Sequence, residues 1–232
     1  MTDLDEKKLR KLMQTLKIDC DQSTPKSYMV NILKQKLKDV DKKRIKKISK
    51  LGHPGKDGVV WSIKNLENGK TYALKQFKPG KPSKAIFQES EMQKVVAQHG
   101  ISPNVIEIDL ILKYIVMDLL DGITLFDKLK STNGEMSIQD QKDFVKIIQK
   151  LDSIGIYHGD PSPLNFIYVG DKLKVIDFGY SRAIKHKDEN AKYMYIGFIL
   201  KMKEIGVDID SNYNYIKKFI DRDILAKCNI KF

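Results

Sequence analysis

Cysteine is scarce in this chain: 232 residues hold two, Cys20 and Cys228. They lie near opposite ends with no framework spacing, which excludes a disulfide scaffold and reads as free thiols in a reducing compartment. The four histidines, His53, His99, His158 and His186, are too scattered for a zinc cage. Long apolar runs are missing too. The longest, Leu110 to Leu120, is broken by Lys113 and Asp118 and is too short to cross a bilayer. The first residues are charged from Asp3 to Lys11, unlike a secretory leader. Together these absences point to a cytoplasmic protein without membrane contact. An abundance of lysine and isoleucine hints at an AT-rich genome, such as that of a virus or an intracellular bacterium, and so at a host cell.

What is present is charge and an ordinary core. Hydrophobic residues make up 41% of the chain, enough for a packed interior, and the formal net charge is +12. The first 50 residues contain 15 Lys/Arg against 7 Asp/Glu, or +8 of that excess. Within them Leu4, Leu9, Leu12, Met13 and Leu16 recur at helical spacing, with Asp3, Asp5 and Glu6 where a helix dipole favours acids. Residues 18–25 read as an irregular connector. Ser27 to Leu37 gives a second amphipathic helix with Met29, Val30, Leu33 and Leu37 inward, and Asp39 to Lys50 a lysine-rich lead into a strand. Residues 1–45 are thereby set apart as a basic helical extension.

Chemistry concentrates in two later stretches. Tyr157-His158-Gly159-Asp160-Pro161-Ser162-Pro163-Leu164-Asn165 reads H-G-D-x-x-x-x-N, and Asp177-Phe178-Gly179 follows across a predicted hairpin, with Asp177 17 positions after Asp160. Phosphoryl transfer needs such a set: one Asp to orient the attacking hydroxyl and take its proton, and an Asn and a second Asp to hold Mg²⁺. Upstream, Gly52, Gly55 and Gly58 punctuate a turn that opens onto Val59-Val60-Trp61, and glycines let backbone N–H groups approach phosphates. Tyr72-Ala73-Leu74-Lys75 reads as a strand ending in a lysine able to pair with the α- and β-phosphates. Glu67-Asn68-Gly69-Lys70 marks the hairpin before it. A helix from about Ser83 to Gln98 carries Glu89 and Glu91. One of them is expected to pair with Lys75, and two residues of separation place them on different faces. Ser137 opens a helix of Phe144, Ile147, Ile148, Leu151 and Ile154 that delivers the loop around Asp160. His158 reads as a packed structural residue.

Over roughly residues 46–200 the chain resembles the protein-kinase-like superfamily: glycine loop, strand lysine, helix glutamate, hinge, catalytic loop and Asp-Phe-Gly occur in order. The resemblance implies an α+β bilobal fold, with a first lobe over 46–120 and a minimal second lobe over 121–232. It also implies ATP and Mg²⁺, with Asp160, Lys75 and Glu89 catalytic and Asn165 and Asp177 as metal ligands. The implied ATP-binding residues are Gly52, Gly55, Gly58, Val60, Ala73, Lys75, Met117, Asp118 and Leu120. Glu89 is favoured over Glu91 because its surroundings resemble the corresponding helix of small atypical kinases. Three departures mark the chain: Gly159 where eukaryotic kinases carry Arg, Ser162 where serine/threonine kinases carry Lys, and no Ala-Pro-Glu after Gly179. They are similar to features of compact members such as the RIO kinases and small viral or bacterial-effector kinases.

The implied function is an ATP-dependent protein kinase acting on Ser/Thr of a protein substrate. A small-molecule kinase, since aminoglycoside- and choline-kinase-like folds share the His-Gly-Asp form, and a pseudokinase scaffold are the alternatives. Without the Arg before Asp160, activation by a phosphorylated loop is not expected, and a partner bracing the second lobe is one route to activity. The first 45 residues resemble a SAP-type helix-extended-helix DNA-binding module; a plain packing or partner-binding helical pair is the other reading.

Overall fold

The computed structural model describes residues 5–52, 55–186 and 189–231. The expected roles of Asp3 and Leu4 in the first helix, and His53-Pro54 inside the glycine loop, lie outside these residues. The described chain divides into two units. The first holds the residues up to Ser90 together with Val105–Leu119, and the second holds Glu91–Asn104 and the residues from Leu120 onward.

The first unit begins with α1 (Glu6–Thr15), whose N-terminus is capped by Asp5 accepting from the Lys7 N–H. Leu9 and Met13 bury against Met29, Val30 and Leu33 of α2 (Lys26–Arg44), forming a small core of their own. Arg10 fastens the connector by donating to the carbonyls of Asp21, Gln22 and Thr24. Helix α2 runs two turns beyond the Leu37 expected from the apolar pattern. Its extra turns carry no apolar stripe. They are held by polar contacts to the sheet, where Arg44 pairs with Glu107 at 2.6 Å and the Tyr114 hydroxyl meets Asp41 at 3.2 Å. The lysine-rich lead is therefore the end of this helix plus the first strand.

That strand is β1 (Ile45–Leu51), followed by β2 (Gly58–Asn65), β3 (Thr71–Phe77), α3 (Ser83–Ala97), β4 (Val105–Asp109) and β5 (Tyr114–Asp118). The strands form one antiparallel sheet in the order β1-β2-β3-β5-β4. Side chains alternate across it. Ala73, Phe77, Ile115 and Met117 share one face with Ile86 of α3, and Val60 and Leu51 pack against them. Leu74, Ile63, Tyr114 and Val116 form the other. Gly58 must be glycine: a Cβ there would collide with the Gln76 carbonyl of β3.

The second unit contains β6 (Ile123–Thr124), α4 (Leu125–Ser131), α5 (Ile138–Ile154), β7 (Ile156–Tyr157), β8 (Phe166–Val169), β9 (Lys172–Val175), β10 (Arg182–Ala183), α6 (Glu189–Glu204), α7 (Asn214–Lys217) and α8 (Arg222–Lys227). Ser137 caps α5 by accepting from the Asp140 N–H, as its sequence suggests, and Gly155 ends it. Phe144, Ile148 and Leu151 of α5 pack with Phe166, Val175, Phe178, Tyr195, Phe198 and Ile199 into the largest apolar core. Against it stand two short antiparallel ladders, β6-β8-β9 and β7-β10. Among the described residues no helix is long and apolar enough to cross a membrane.

Candidate active site

The loop after β7 is built on a buried histidine. His158 is fully enclosed, and burial pushes its ring below the usual histidine range, so it is neutral. Nε2 lies 3.0 Å from the Ile176 carbonyl, which only accepts, and Nδ1 accepts from the Asp160 N–H at 3.3 Å. These bonds assign the proton to Nε2. The Ile176 N–H in turn donates to the Asn165 carbonyl at 2.9 Å. One residue, Ile176, immediately before Asp177, is thereby tied through its carbonyl and its N–H to both ends of the Asp160 loop, and this fastening sets Asp160, Asn165 and Asp177 on one frame.

Asp177 sits at φ +63°, a left-handed conformation costly for a residue with a Cβ, and its Oδ1 accepts from the Gly179 N–H at 3.2 Å. Such strain persists where the surroundings enforce it, and it gathers at functional sites. Asn165 is buried and donates through its amide nitrogen toward the Asp160 carbonyl at 3.4 Å, which leaves its amide oxygen as a donor atom for a cation. Asp160 is half-buried. Burial works to raise its carboxyl, but the hydrogen bond and charge of Lys201, joined by hydrogen bonds from the Asn165 side chain and the Ser162 N–H, outweigh this and hold it below the usual carboxylate range. The bonds from Lys201 Nζ, at 2.8 Å, and the Ser162 N–H, at 3.2 Å, both fall on Oδ1.

Three residues of this frame carried no signal in the sequence. Asn190, in the first turn of α6, accepts from the His158 N–H at 2.9 Å and donates to the Ile156 carbonyl at 2.6 Å. Asp152 on α5 accepts from the backbone N–H groups of Asn190 and Ala191, satisfying the open N-terminus of α6. Lys201 reaches Asp160 from further along the same helix. These pairs bridge 32 to 41 residues of sequence, and no local pattern betrays them.

After Gly179 the chain returns through β10, which pairs with β7, and the Ile184 N–H donates to the Gly155 carbonyl. Arg182 makes a two-pronged contact with Glu189, at 2.9 and 2.6 Å, and lies over the Tyr157 ring. That guanidinium, helped by the Lys185 N–H, lowers the Glu189 carboxyl to about 2. The same expected segment includes Lys187 and Asp188, which are outside the described residues.

In the first unit, Lys75 and Glu89 form a buried ion pair at 2.6 Å; Glu91, the other candidate, belongs to the second unit and pairs there with Lys94 at the surface at 2.7 Å. Lys75 is directed to the Ala73–Phe77 face, with its ammonium 5.3 Å from the Phe77 ring centroid. Val60, Ala73 and Met117 share that face. Asp118 closes β5, and Leu120, half-buried, begins the second unit. Gly52 has φ +62°, and the Gly55 N–H donates to the Gly58 carbonyl at 2.9 Å, which turns the chain into β2.

The family model described as the protein kinase domain matches residues 45–198. The chain belongs to the protein kinase family. Among curated relatives it is similar to Calcium-dependent protein kinase 25 of Arabidopsis thaliana, 32% identical over 156 residues, covering 59% of this chain and 29% of the relative. It is also similar to Calcium-dependent protein kinase 26 of the same plant, 27% identical over 188 residues, covering 72% of this chain and 39% of the relative. A third relative is Calcium-dependent protein kinase 27 of Oryza sativa subsp. japonica, 30% identical over 146 residues, with shares of 57% and 24%. The chain thus spans well under half the length of these kinases. They do not support the RIO-like or viral subtype expected from Gly159 and Ser162.

Proposed function

We propose that this kinase-family chain uses ATP and Mg²⁺ to phosphorylate serine or threonine hydroxyls of a protein substrate. The observation that carries the reading is the common frame of Asp160, Asn165 and Asp177, fastened through the carbonyl and N–H of Ile176. Asp160 orients the substrate hydroxyl and accepts its proton, with Oδ2 as the base oxygen because Oδ1 already takes two hydrogen bonds. The hydroxyl oxygen bonds to the γ-phosphorus as the bond to the β,γ-bridging oxygen breaks, and ADP leaves with that electron pair. Lys75, held by Glu89, binds the α- and β-phosphates, and the Gly52–Gly58 loop covers them. Val60, Ala73 and Met117 wall the adenine, with backbone groups of Asp118 and Leu120 as its hydrogen-bond partners. The amide oxygen of Asn165 and the carboxylate of Asp177 suit Mg²⁺, a hard cation that takes one or two protein oxygens and completes its shell with water and phosphate. Bound there, it would offset the charge on the transferring group. Calcium dependence is stated in the names of the relatives and stays with them.

The test is incubation with labelled ATP, Mg²⁺ and generic protein substrates. Label on phosphoserine or phosphothreonine is the expected result. Label on a small molecule supports the alternative kinase class, and nucleotide binding without turnover supports a scaffold. The free thiols of Cys20 and Cys228 support a reducing, cytoplasmic setting. For the basic extension over 1–45, the self-contained core of α1 and α2 and its charge support a docking module, with nucleic acid as one partner class. If DNA is that partner, retention in a gel shift falls steeply from 50 to 200 mM salt, by about tenfold or more for each few phosphates contacted. No retention at low salt leaves a protein partner.

A further inference from the structure

We infer that Lys201 is the positioning residue for Asp160, supplying from α6 the cation that the loop itself lacks. The inference rests on the phosphotransferase reading above.

Between Asp160 and Asn165 the loop is Pro161-Ser162-Pro163-Leu164, without lysine or arginine. A carboxylate that must hold one oxygen toward an incoming hydroxyl needs its other oxygen fixed. The Lys201 ammonium, 2.8 Å from Oδ1, does this together with the Ser162 N–H. The pair is not core packing: the lysine side chain is 42% exposed and the Asp160 side chain 26%. Exposed pairs of this kind add little to stability, so its place beside the proton acceptor is the feature to explain.

A second observation shows how the lysine reaches. Gly197 lies one turn before Lys201 on the same face of α6. A Cβ at Gly197 would come within 2.8 Å of Pro161 Cγ, tighter than side chains pack. Glycine inside a helix weakens it, and here it lets α6 press against the residue following Asp160. The close approach at Gly197 brings the loop within range of the ammonium one turn on. Ser162 meanwhile caps the short 3₁₀ turn at Pro163–Asn165 with its hydroxyl, a local role that carries no charge.

The experiment compares three variants in the protein kinase assay: Lys201→Met, Lys201→Arg and the double variant Ser162→Lys with Lys201→Met. Lys201→Met is expected to lower kcat about 10- to 100-fold, a part of what a positioned general base contributes. KM for ATP and the melting temperature should stay near wild type. Lys201→Arg should retain most of kcat, and the double variant should recover about tenfold or more over Lys201→Met by offering the ammonium from the loop. Wild-type or faster turnover in Lys201→Met overturns the inference, and so does a double variant no better than the single. An Asp160→Asn control separates the two levels. If it remains active the phosphotransferase reading itself falls; if it is dead while Lys201→Met is fully active, only the role of Lys201 is lost.

Discussion

Asp177→Ala lowers phosphotransfer by at least about a thousand-fold at saturating Mg²⁺, equivalent to about 4 kcal/mol on the barrier. The carboxylate lost is the one presented at φ +63° after β9, next to Ile176, whose carbonyl meets His158 and whose N–H donates to Asn165. A single transition-state contact of this electrostatic kind is worth roughly two to three orders of magnitude, and a metal ligand adds the charge of its cation. The fold is expected to survive, because the Phe178 anchor remains in the core. A thermal melt within a few degrees of wild type, together with an initial-rate assay, checks both halves. Turnover within tenfold of wild type would remove Asp177 from the metal site.

Lys75→Met abolishes activity and also destabilises the protein. The Lys75–Glu89 pair is 2.6 Å long, with both side chains nearly out of solvent. Removing one member of a buried pair commonly costs about 3–5 kcal/mol, since the remaining charge stays desolvated. Replacing both members with apolar residues of similar size is often neutral. The double variant Lys75→Met with Glu89→Leu should therefore regain most of the lost stability in a urea titration while remaining inactive. Recovery of activity with stability would mean that Lys75 only maintains the fold and that its phosphate role is misassigned.

Much of this architecture is legible in the chain because its signals are local. The Asn-Gly turn marks the β2–β3 hairpin, and Ser137 with the apolar period that follows defines α5. The set of Asp160, Asn165 and Asp177 is legible through spacing alone. The choice between Glu89 and Glu91 is weaker in sequence, since both lie on one helix; burial decides which of them meets Lys75. The far end of α2 escapes because no apolar stripe extends past Leu37; Arg44 and Asp41 hold it through partners more than 60 residues away. Asn190, Asp152 and Lys201 escape for the same reason. Each is an ordinary polar residue until folding places it beside the loop, and separation along the chain erases any motif.

The clamp of Arg182 on Glu189 has a consequence for how such a protein would be governed. In switchable kinases an added phosphate supplies the anion that orders the stretch after Asp-Phe-Gly. Here the anion is a side chain, already ionised at every physiological pH and gripped by two prongs of a guanidinium. A segment closed in this way carries its ordering charge within its own sequence, with no need of an added phosphate.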